Sequence, residues 1–88
     1  MPIVKKKIKV ENAQGLHARP AALFVQLANR FTSKITVRKS RQGVNGKSIM
    51  GILVLGVGKG SQIEVICDGD DAEKACHALE KLLAKELE

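Results

Sequence analysis

The sequence contains no tryptophan and no tyrosine, and its only aromatic side chains are Phe24 and Phe31. Both fall among apolar residues, which leaves no exposed ring on which a nucleic-acid base can stack. Only two cysteines occur, Cys67 and Cys76. Two thiols do not make a disulfide framework, and together with His77 they lack the spacing of zinc ligands. No apolar run approaches the ~20 residues of a membrane-spanning helix. Near the start, Lys5, Lys6, Lys7 and Lys9 interrupt every apolar stretch. These absences lead us to expect a soluble cytoplasmic protein with no membrane insertion, no metal and no nucleic-acid partner.

What is present is the composition of a folded chain: 88 residues, 44% hydrophobic and 27% charged. That is too apolar for intrinsic disorder and long enough for one core, so we expect a single domain over residues 1–88. The net charge of +6 favours negative partners: phosphate compounds, acidic proteins or nucleic acid, the last resting on charge alone. No repeat, linker or low-complexity tract interrupts the chain.

Hydrophobic periodicity marks the elements. Val4–Val10 alternates, with Val4, Ile8 and Val10 on one side and Lys5, Lys7 and Lys9 on the other, as in a strand with one wet face. Glu11 to Gly15 is a polar loop. Pro20 is tolerated only in a first helical turn, so a helix starts near Ala18 and runs to about Phe31. Its apolar stripe, widened by Ala21, Ala22 and Val25, exceeds one core face and leaves part for a partner. Ile35 and Val37 alternate with Lys34, Thr36 and Arg38 in a second strand. Gln42-Gly43 suggests its turn, Val44 a short third strand, and Asn45-Gly46 another turn. Ile49–Val57 suits a buried strand or a short helix; Ser48 as N-cap and Gly56 as a stop favour the helix. Residues 62–67 alternate as a fourth strand, and Asp70 with Glu73 marks the start of a final helix. The order β-α-β-β-α-β-α predicts an α+β open-faced sandwich: a four-stranded antiparallel sheet with three helices on one face.

The segment Gly15-Leu16-His17-Ala18-Arg19-Pro20 carries the chemistry. A helix start offers unpaired amides and the positive end of the dipole, both receptive to phosphate. Arg19 can place two donors on phosphate oxygens. A cation is disfavoured at that end of the dipole, and neutral imidazole is the nucleophilic form of histidine. A histidine at a helix start is equally compatible with a plain surface or capping residue. Gly58-Lys59-Gly60-Ser61 is not a phosphate-binding P-loop. Leu53 stands where its first glycine belongs, and Gly60 follows the lysine in place of Ser or Thr.

The run Gly15-Leu16-His17-Ala18-Arg19-Pro20-Ala21, preceded by Asn12, resembles the active-site motif of HPr, the histidine phosphocarrier of the bacterial phosphotransferase system. Gly46-Lys47-Ser48-Ile49-Met50-Gly51 is similar to the family's regulatory-serine region, and Leu53 to Gly60 continues the match. The resemblance implies a carrier and not an enzyme, with no cofactor. Enzyme I, itself charged by phosphoenolpyruvate, would phosphorylate His17 at Nδ1, and an enzyme IIA would receive the phosphate. Arg19 and the amides of Ala18 and Arg19 would steady the phosphate without holding it too tightly to be donated. Ser48 would be the target of an HPr kinase/phosphorylase, with a transcriptional regulator as a further partner. Partners would dock on the first and short helices, at Asn12, Ala22, Ile49, Met50, Leu53 and Gly56. The carrier is expected to be a monomer. Gln26 and Asn29 depart from the lysines that the family often places on the first helix. A mainly regulatory protein controlled through Ser48 is the alternative, and the presence of His17 argues against a relative that lacks the histidine.

Overall fold

A computed structural model describes residues 2–87. Strand β1 (Ile3–Lys9) leads into helix α1 (Ala18–Ala28). A hairpin of β2 (Lys34–Lys39) and β3 (Gln42–Asn45) follows, then α2 (Ile49–Leu55), β4 (Gln62–Asp68) and α3 (Ala72–Glu86). The sheet order is β1-β4-β2-β3 with every pair antiparallel. This is the expected β-α-β-β-α-β-α open-faced sandwich. No helix among the described residues is long and apolar enough to cross a membrane.

The sheet's two faces follow from the alternation. Ile35 and Val37 of β2 and Ile63, Val65 and Cys67 of β4 are buried under the helices. α1 contributes Ala21, Phe24, Val25 and Ala28, α2 contributes Ile52 and Leu55, and α3 contributes Ala72, Ala75, Cys76, Leu79 and Leu83. Burying each large apolar side chain stabilises the fold by about 1.5–3 kcal/mol, and this stitches helices of modest propensity onto the sheet. Ala21 and Val25 therefore belong to the core and not to a surplus stripe; Ala22, Leu23 and Leu27 stay half-exposed beside them.

Four boundaries differ from the sequence-based reading. β1 runs Ile3–Lys9, one residue earlier than Val4–Val10, and Val10 instead bridges to the chain before β4 through Val10 N–H to Ser61 O and Gly60 N–H to Val10 O, both 2.8 Å. α1 ends at Ala28, short of Phe31, because the Asn29 amide Nδ2 donates to Val25 O at 2.9 Å and tight turns to Leu27 and Ala28 replace the next helical bonds. The β2–β3 turn lies at Ser40-Arg41, not Gln42-Gly43: pairing of Lys39 with Gln42 leaves two loop residues, and Ser40 takes φ +55°. α3 is preceded by Asp71 as N-cap, not opened by an Asp70–Glu73 box. The Asp71 side chain makes no cap bond, because Thr32 and Ser33 claim its carboxylate.

Candidate functional site

The loop before α1 is folded back on the chain that leaves α2. Gly15 N–H donates to Asn12 O at 3.2 Å, and the Asn12 amide Nδ2 donates to Gly15 O at 3.1 Å, closing a tight turn. Gly15 has φ +62° and rests directly on the peptide of Val57: a Cβ there would lie 2.2 Å from Val57 O and 2.8 Å from Gly58 Cα. Only glycine fits both the torsion and the space. Leu16 then donates its N–H to Val57 O at 2.9 Å and buries its side chain. His17 is held just above this anchor, half-buried.

His17 is the N-cap of α1, in extended backbone conformation (φ −88°, ψ −171°), and its carbonyl accepts the first helical bond, from Ala21 N–H at 3.0 Å. Pro20 has no N–H to offer. The donors left at this helix start are the amides of Ala18 and Arg19, which have no acceptor among the described residues. The first turn carries no acidic side chain, so nothing in the helix competes for them. Arg19 is exposed and free to swing over the same spot.

The His17 Nδ1 atom lies 3.0 Å from Gly15 O. A carbonyl oxygen only accepts, so Nδ1 is the donor in this contact, and in the neutral ring the lone pair is then on Nε2. The sequence offered no signal for this contact, which arises because Gly15 turns its carbonyl toward the ring. Gly15 O thus takes two donors, while the Asn12 Oδ1 atom is buried with no hydrogen-bond partner.

Ser48 caps α2 as expected: its Oγ accepts from Gly51 N–H at 3.1 Å, and Gly56 closes the helix at φ +66°. The Lys47 Nζ donates to Phe31 O at 2.6 Å and ties the exit of α1 to the entry of α2. The carbonyl of Gly56 is likewise taken by the Lys39 Nζ, at 2.7 Å. Seven helical residues, about 10 Å of rise, separate Ser48 from the Gly56–Val57 end that holds the His17 loop. Between them α2 exposes Ile49 (41%), Met50 (68%) and Val54 (66%), while Leu53 packs partly on the core. Val54 went unnoticed in the sequence because an all-apolar run does not reveal its outward face.

A hollow of about 530 Å3 lies away from His17 and Arg19, between Lys7, Arg38 and Glu64 on the sheet. His17 is half-buried beside exposed Arg19, within reach of another protein's surface. No group of three His, Cys, Asp or Glu side chains that could hold a metal ion occurs among the described residues. Cys67 and Cys76 are both buried free thiols; burial, then its neighbour Cys76, pushes Cys67 up to about 12.

Fold and site together define a small open-faced sandwich that presents a histidine at an anion-receptive helix start. A family profile described as the PTS HPr component phosphorylation site matches residues 4–85. The chain belongs to the HPr family of the phosphotransferase system. It is 50% identical over 84 residues to the HPr-like protein Crh of Halalkalibacterium halodurans, covering 96% of this chain and all of that one. It is 44% identical over 86 residues to the phosphocarrier protein HPr of Treponema pallidum, covering 98% of each chain. The crystal structure of an HPr from Bacillus anthracis superposes with a TM-score of 0.84 at 50% identity, over 91% of this chain and 95% of that one.

Proposed function

We propose that His17 accepts a phosphoryl group from phosphorylated enzyme I and passes it to an enzyme IIA, in the cytoplasm and as a monomer. The observation that carries this reading is the pair of unclaimed amides, Ala18 and Arg19, beside His17 in a first turn free of acidic side chains. The acceptor is Nδ1. For that atom to attack, the ring carries its proton on Nε2 and turns Nδ1 away from Gly15 O. The new N–P bond then forms as the donor's bond to phosphorus breaks. The two amides and the Arg19 guanidinium take the phosphate oxygens. Because the site is open and has a single arginine, the group stays transferable.

The test is incubation with phosphoenolpyruvate and a competent enzyme I. Wild type gains an acid-labile, base-stable phosphate, and His17→Ala gains none. Arg19→Ala slows transfer about 10- to 100-fold, the size of one charge-assisted hydrogen-bond set. Absence of transfer to wild type refutes the reading.

Ser48 is the site of control by an HPr kinase. A phosphate on its Oγ keeps an acceptor for Gly51 N–H, and a helix start tolerates the charge. The same charge lies beside exposed Ile49 and Met50 and disturbs partners that dock there. A second reading, a mainly regulatory protein that acts by binding a transcriptional regulator, is favoured by the likeness to a Crh protein. It requires Ser48→Asp to change that binding while His17→Ala leaves physiology intact.

A further inference from the structure

The wet face of the sheet has no part in the phosphate site, yet its charge is strongly one-sided. On β1, Lys5, Lys7 and Lys9 point away from the helices; on β2, Lys34 and Arg38 do the same. Only Glu64 and Asp68 of β4 oppose them, so five cations meet two carboxylates. Glu64 is registered between Lys7 and Arg38, and Asp68 pairs across from Lys34. Lys5 and Lys9 face Ile66 and Gln62 and have no acidic residue directly opposite. Helix α3 shows no such bias: it carries Glu73, Glu80 and Glu86 against Lys74, Lys81 and Lys85. The face thus holds a net +3, half of the chain's +6, on one flat surface.

We propose that this face rests on anionic lipid headgroups. Three features favour a lipid surface over a protein or a nucleic acid. Four of the five cations are lysines, point charges spaced about 7 Å along β1, and the face has a single arginine, Arg38, and no aromatic of the kinds that anchor protein interfaces. The face has no aromatic ring for stacking and no protruding helix to enter a groove. Ile3, 58% exposed, continues the row of Lys5, Lys7 and Lys9 and adds an apolar contact at its end, the mixture an interfacial surface needs. Bound this way, the protein keeps His17 and the exposed side of α2 clear of the bilayer plane, since α1 and α2 lie on the opposite face of the sheet.

The experiment is co-sedimentation of the full chain with vesicles of phosphatidylglycerol and phosphatidylcholine in equal parts, and with pure phosphatidylcholine. Binding is expected only to the anionic vesicles near 0.01 M salt, where the screening length is about 30 Å, and is lost near 1 M, where it is about 3 Å. Replacing Lys5, Lys7 and Lys9 by Gln lowers the binding constant about a hundredfold, at roughly fivefold per lysine. Replacing Lys74, Lys81 and Lys85 by Gln removes the same charge from the helical side and leaves most of the binding. No binding to anionic vesicles at low salt overturns the proposal. An equal loss in both triple variants overturns it too, because net charge and not the face would then be responsible. Tighter binding to a single-stranded or duplex oligonucleotide, or to an acidic protein, than to the vesicles replaces the lipid assignment with that partner.

Discussion

Replacing Gly15 by Ala should be the most damaging single-methyl change near the histidine, for two separable reasons. The torsion is one: at φ +62°, an L side chain costs about 1–2 kcal/mol. The collision is the other. The new Cβ would meet Val57 O at 2.2 Å and Gly58 Cα at 2.8 Å, both backbone atoms that no rotamer change can clear. The loop must lift by about an ångström, which breaks the 2.9 Å bond from Leu16 N–H to Val57 O and leaves a buried group unsatisfied, about 1–3 kcal/mol more. The sum, about 2–5 kcal/mol, is a large share of the ~4–13 kcal/mol expected for a chain of this length. The melting temperature falls by about 10–30 °C. Two further glycines act as controls. At Gly60, φ is +89° with nothing within 4 Å of a Cβ, so Gly60→Ala reports the torsion alone. At Gly58 there is open space and no positive φ, so Gly58→Ala is near neutral. Urea denaturation of the three variants ranks them Gly15, Gly60, Gly58, and phosphoryl transfer to His17 slows in the first. A Gly15→Ala protein no less stable than Gly60→Ala refutes the account of how the loop is seated.

Ser48→Ala removes the acceptor for Gly51 N–H and destabilises by about 1 kcal/mol in denaturant titration, whereas Ser48→Asp, which keeps a capping oxygen, loses less. Asp71 is held down to about 2 by the Ser33 hydroxyl, with the Thr32 backbone N–H next. Its bound carboxylate therefore supports the fold above an ordinary value of 3.8, and that support is lost as pH falls from there toward 2. Wild type and Asp71→Asn should differ in stability at neutral pH and converge in acid melts; a constant gap down to pH 2 contradicts this. Cys67, pushed up to about 12 and fully buried, and Cys76, raised by burial, should resist a thiol reagent in the native protein and react once it is denatured.

Much of this was legible along the chain because it is local. Alternation at Ile35 and Val37, the tolerance of Pro20 only in a first turn, and Ser48 and Gly56 bracketing a short apolar run depend on neighbours a few residues away. The same holds for His17 at a helix start with Arg19 two residues on, and the likeness to a known motif turned that plausible phosphate site into a specific expectation. Contacts between segments far apart in sequence decided the rest. Asp71 left its expected capping role because Thr32 and Ser33, some forty residues earlier, present hydroxyls and amides to it. Only the packing of α2 could separate exposed Val54 from half-buried Leu53 in a run with no polar side. The seat of Gly15 on Val57 brings together residues forty-two positions apart, and it aims the Gly15 carbonyl at the His17 ring. The sequence by itself determined that a histidine would stand at a helix start. Tertiary structure alone decided which ring nitrogen is engaged, because that depends on where a distant peptide holds the loop.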